Sequence, residues 1–134
     1  MTEYDVLEQF GLVPKPDELP TIRRLLAEET EQTRKHNGNV PLLRLFCIQL
    51  FAHGKVDDIF LIWRAKRSNF DAGCGIEVEL LCGAGMDATK GYLSKQESQE
   101  SVEILKYLNE HQANSEVWSP QAHLKFWQNY YKLP

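Results

Sequence analysis

The stretch that most limits what this chain can become is VPLLRLFCIQLFAH, residues 40–53, in which only Arg44, Gln49 and His53 interrupt apolar side chains. Its boundaries are those of a helix. Asn39 stands where a side-chain oxygen can cap the first amide groups, Pro41 fits the first turn, and Gly54 can close the last turn in the left-handed conformation. A helix that is apolar all round has no face to offer water and has to be covered on every side. The remainder of the chain must therefore supply elements that surround it, each apolar along one stripe.

The flanking sequence offers such elements. A short apolar cluster, Val6, Leu7, Phe10, Leu12 and Val13, predicts a brief helix that Gly11, Pro14 and Pro16 bring to an end. From Asp17 the stretch DELPTIRRLLAEETEQTRKH predicts a helix to about His36, with Ile22, Leu25 and Leu26 on one stripe. Its second half has no apolar anchor and is expected to project into solvent. After Gly54, Asp57 and Asp58 favour a helix start, and Val56, Ile59, Phe60 and Trp63 recur at helical spacing, so this helix and the apolar one read as an αα-hairpin. Further on, Asp87 is the expected cap of a short helix in MDATKGYLSK, and ESVEILKYLNEHQ carries Val102, Leu105 and Leu108. PQAHLKFWQNYYK opens on Ser119 and Pro120 as cap and first residue.

Residues 72–84 fit two patterns. IEVEL alternates as a strand does, while Ile76 and Leu80 share a helical face. A lone strand would find no second strand to pair with, so a short helix closed by Gly83 and Gly85 is expected. Seven or eight helices joined by short breaks then give one all-α domain over 1–134. The architecture is a compact multi-helix bundle or a short stack of antiparallel helical hairpins, like a fragment of a solenoid. No period of about 33 to 45 residues recurs in support of the second.

Charge and cysteine content narrow the function classes. Fifteen basic against nineteen acidic side chains give a net charge of -4 and a pI near 5.6, which provides no global attraction to nucleic acid. No run approaches the ~18 apolar residues of a membrane span, and MTEYDVLEQF lacks the basic-then-apolar pattern of a secretory leader, so the expected location is the cytoplasm. Cys47, Cys74 and Cys82 have no zinc spacing, and no H-E-x-x-H occurs, so neither metal nor cofactor is expected. The four histidines read as surface polar residues. Six of the eight glycines lie between positions 54 and 91. Gly73-Cys74-Gly75 fails as a phosphate-cradling motif because Val78 stands where the third glycine belongs. Gly83-Ala84-Gly85 with Ala88 fits better but lacks the alternating strands of a dinucleotide fold. Close packing and sharp helix ends account for the glycines.

Two function classes remain, and each has named residues. The first is a small cytosolic protein–protein interaction module. Trp118, Phe126, Trp127, Tyr130 and Tyr131 crowd the C-terminal stretch. If Leu124, Trp127 and Tyr131 face the core, Phe126 and Tyr130 share an exposed flank with the aromatic character of interfaces. Glu28, Glu29 and Glu31 could steer a basic partner toward it. A binding and neutralising, immunity-like role is one specific form, and a homo-oligomeric subunit is another possibility. The alternative class is a cysteine-dependent enzyme or redox sensor using Cys74. It is expected near the first turn of a helix, where the dipole lowers a thiol's pKa, with His36, His53, His111 or His123 brought near by folding. Cys47 and Cys82 read as small hydrophobes. Lys66 and Arg67 read as cations offsetting a helix C-terminus, beside Trp63 in the buried stripe. The pairs Asp57/Asp58 and Glu77/Glu79 do not face each other on a helix.

Overall fold

Five helices of this chain begin on a side chain that takes up an otherwise unpaired amide: Thr2, Asn39, Asn69, Ser98 and Ser119 each accept a hydrogen bond from the third residue onward. In the computed structural model, which describes residues 1–111 and 118–133, the helices are α1 (Glu3–Phe10), α2 (Leu19–Arg34), α3 (Val40–His53), α4 (Ile59–Lys66), α5 (Phe70–Gly75), α6 (Met86–Lys95), α7 (Gln99–Glu110) and α8 (Pro120–Tyr130). Three 3₁₀ turns, Pro16–Glu18, Val56–Asp58 and Val78–Cys82, complete the order, and there is no strand among the described residues.

The apolar helix occupies the centre. Along α3, Leu42, Leu43, Leu45 to Leu50 and Phe51 are buried, and α1, α2, α4, α5, the 78–82 turn and α8 all pack on it. Elements arranged around one helix make a bundle; the stacked-hairpin arrangement is not what forms. Of α3's polar interruptions, Gln49 donates through Nε2 to the Gly11 carbonyl at 2.8 Å, and the His53 ring bonds the Pro14 carbonyl at 2.6 Å. Both tie the N-terminal loop to the core. At the end of α3, Gly54 is left-handed as expected, and Gly83 lies so close that an added Cβ would meet the Phe51 carbonyl oxygen at 2.7 Å.

Several sequence expectations are corrected. The second half of α2 is anchored, not projecting: Thr30 and Thr33 are buried, each hydroxyl donating to the carbonyl four residues back, and Asn69 bonds the Thr33 carbonyl. Small polar residues can serve as anchors because their hydroxyls are satisfied within the helix. Residues 72–84 are helical, but in two pieces, α5 and the 78–82 turn, with Ile76 extended between them. Gly85, not Asp87, precedes α6. In α7 the inward stripe is Ser101, Ile104 and Leu108, and Val102 is exposed. Asp58 is more than a helix-start charge, since it accepts from Arg23 Nε at 2.8 Å and from a second guanidinium nitrogen at 3.1 Å, which fastens α2 to the start of α4. More of α4 lies on α2 than on α3. No helix among the described residues is long and apolar enough to cross a membrane.

Candidate functional site

Helix α8 presents aromatics both inward and outward. Ser119 caps it by accepting from the Ala122 amide, and the 3.6-residue repeat then places Trp127 and Tyr131 in the core while Phe126 and Tyr130 remain 55% and 52% exposed. The rings are continuous: Phe126 to Trp127 at 5.2 Å, Trp127 to Tyr130 at 5.0 Å, Tyr130 to Tyr131 at 5.0 Å, then Tyr131 to Tyr4 of α1 at 6.3 Å. Tyr4 is 65% exposed. Below them the Arg44 guanidinium sits 4.8 Å from the Trp127 ring centre and 5.6 Å from that of Tyr130, a cation held by ring faces. The Tyr131 hydroxyl donates to Glu3 at 2.6 Å. Burial, then that hydrogen bond and the carboxylate's charge, push its phenol well above the ordinary range.

A polar cluster fastens this helix to the rest. One oxygen of Glu77, Oε1, accepts from His123 Nε2 at 2.6 Å and from Trp127 Nε1 at 2.8 Å. Trp118 Nε1 donates to His123 Nδ1 at 3.3 Å. Burial alone would raise the Glu77 pKa, but the hydrogen bond from His123, that ring's charge when it is protonated, the hydrogen bond from Trp127 and the charge of Arg44 outweigh it and hold the carboxyl below its usual range. An indole N–H can only donate, so His123 carries its proton on Nε2. In the neutral ring both nitrogens are then engaged in hydrogen bonds within the cluster. The chemistry of the cluster is that of a clamp. His123 is also not the surface residue expected from sequence, with a side chain only 13% exposed.

Cys74 is exposed, but it stands at the C-terminal end of the six-residue α5, not in a first turn. That end of a helix carries the negative pole of its dipole, the opposite of what the sequence reading places beside the thiol. Among the described residues no hydrogen bond joins Cys74 to a histidine. Lys66 lies within electrostatic reach of Cys74. Lys66 itself turns inward, donating through Nζ to the carbonyls of Gly73, at 2.7 Å, and Ile76, with the Tyr107 ring 5.8 Å away. Burial lowers its pKa. It closes the end of α5 instead of facing water at the end of α4. Cys47 and Cys82 are buried and burial pushes their thiols up, that of Cys82 to about 12.

The acidic stretch on α2 is engaged locally. Glu28 pairs with Arg24 at 3.0 Å, Glu31 with Arg34 at 3.4 Å, and Glu29 accepts from the Asn39 amide at 2.7 Å. Trp118 is half-buried beside His123. Away from α8, an open groove of about 530 Å³ between α6 and α7 is lined by Leu93, Val102, Leu105 and Lys106 among others. No group of three or more metal-binding side chains converges among the described residues.

The Glu77–His123 pair spans forty-six positions, and nothing local to either residue signals it. The one legible sign is His123 and Trp127 at i, i+4, which places both polar hydrogens on one face of α8.

These features define an all-α multi-helix protein whose C-terminal helix carries an exposed aromatic flank over a polar clamp. In comparison with known proteins, no family model, curated protein or solved structure matches the chain.

Proposed function

We propose that this protein acts by presenting a surface to another protein, and that the surface is the flank formed by Phe126, Tyr130 and Tyr4. The observation that supports this reading is the ring-to-ring continuity of three exposed aromatics with buried Trp127 and Tyr131. Large aromatic side chains are enriched at interfaces because they bury much area at little cost in side-chain entropy. Here their neighbours are already immobilised by Glu77, Glu3 and Arg44, so little ordering remains to oppose binding. Trp118 borders the same flank. Glu28 and Glu31, though paired, add negative charge that would favour a basic partner. A cytoplasmic module that neutralises its partner, in the manner of an immunity protein, is the specific form we favour.

The test is retention of a partner by the immobilised protein and by a Phe126→Ala/Tyr130→Ala variant whose folding has been checked by circular dichroism. A protein bound by the wild type and lost at least tenfold in the variant supports the reading. Equal retention by both contradicts it.

A second reading, a cysteine-dependent enzyme or redox sensor, is favoured by the exposure of Cys74 and the nearby Lys66 ammonium. It requires Cys74 to be alkylated at neutral pH faster than an unperturbed thiol, and an ordinary rate would eliminate it.

A further inference from the structure

We propose that His123 is a proton-operated latch for Trp118. The two hydrogen bonds of the imidazole differ in how they respond to a proton. Toward Glu77 the ring donates, and a second proton turns that contact into an ion pair. Toward Trp118 the ring accepts, and a second proton sets a donor against a donor. No rotation of the indole repairs this, because its nitrogen has no lone pair to offer. Protonation therefore breaks one bond while strengthening the other, so that α8 stays clamped to Glu77 while the Trp118 indole, still packed against the core, loses its hydrogen bond.

From the segment entering the 78–82 turn the charged group facing His123 is Glu77. From α3, Arg44 acts on Glu77, and Phe51 presents a ring 5.6 Å from the imidazole. His53 lines the shallow groove beside Leu124 and Gln121 and is occupied by the Pro14 carbonyl. On α8 itself the neighbour is the Phe126 ring, 6.2 Å away. The latch does not depend on whether the aromatic flank binds a partner, since the indole itself is the readout.

Nitrogen-15 and proton NMR on the intact chain tests the inference. Where the His123 ring is neutral it should show the Nε2–H tautomer, and as acid protonates it the Trp118 indole N–H should shift and exchange faster with the same midpoint. Two variants should move that midpoint in opposite directions. Trp118→Phe removes the bond that only the neutral ring makes, and should raise the midpoint by about half a pH unit. Glu77→Gln removes the negative partner of the charged ring, and should lower it by about one unit. If His123 carries its neutral proton on Nδ1, if the Trp118 resonance ignores the His123 titration, or if Trp118→Phe leaves the midpoint in place, the latch is refuted.

Discussion

Helices α3 and α8 are of similar length, but they are held by different means. Residues of α3 are covered by six neighbouring elements, and its polar side chains are spent on tying down the N-terminal loop and on supporting α8. Helix α8 buries Trp127 and keeps its place through a handful of directed contacts: Glu77 with His123 and Trp127, Arg44 beneath two rings, and Tyr131 just beyond the helix on Glu3. Where burial is diffuse, no side chain is left to meet another molecule. Where a few point contacts carry the load, neighbouring large side chains can stay in water. The contrast explains why the surface of interest lies at the periphery of the fold.

The comparison can be broken most forcefully at the centre. Phe46→Ala, at a side chain without solvent contact, should cost about 3–5 kcal/mol in urea unfolding, because the cavity is enclosed on every side. A loss below about 1 kcal/mol would show that α3 is not the core of the bundle. At α8, Glu77→Ala leaves the donors of His123 and Trp127 without their acceptor and should cost about 1–3 kcal/mol. Trp127→Phe keeps most of the packing and removes one donor, so about 1 kcal/mol is expected, again by urea unfolding.

Proton linkage separates the two helices further. The fold lowers the Glu77 pKa, so its contribution is fully present above the unfolded value of 4.5 and is lost as pH falls toward the lower folded value. In Glu77→Gln that part of the acid slope should vanish. On α3 the sign is opposite, since the Cys47 thiol ionises near 9.0 in the unfolded chain but is pushed far higher by burial in the folded one. Stability tied to Cys47 is complete below 9.0 and declines as pH rises above it, and Cys47→Val should flatten the alkaline limb of a stability profile. Smallest of all is the effect of Phe126→Ser, expected to change stability by less than about 0.5 kcal/mol because more than half of the residue is already in solvent. A larger loss would mean that it belongs to the core and not to a surface.

Whatever depended on a local pattern was legible in the sequence. The boundaries of α3 follow from Asn39, Pro41 and Gly54, the cap of α8 from Ser119, and the division of its aromatics into inward and outward sets from the helical repeat. Contacts between distant segments were hidden, because no spacing rule connects Arg23 to Asp58 or Glu77 to His123. The sequence does not reveal the phase of α7: Val102, Leu105 and Leu108 form an apolar row, but the residues buried in the core are Ser101, Ile104 and Leu108. A serine fits there because its hydroxyl donates to the Gln96 and Ser98 carbonyls. Cys74 was assigned to the wrong end of its helix because flanking glycines mark a terminus without saying which one. Lys66 reads as a cation offsetting the end of α4, and what the sequence hides is that the carbonyls of Gly73 and Ile76 at the end of α5 draw its ammonium inward.

Protein footprinting by hydroxyl radicals, with and without a candidate partner, bears most directly on the proposed surface. The account predicts that Phe126, Tyr130 and Tyr4 are modified readily in the protein alone and are protected together in the complex, while Trp127 is slow in both. Unchanged rates at those three residues, with protection instead around Cys74 or in the groove between α6 and α7, would contradict it.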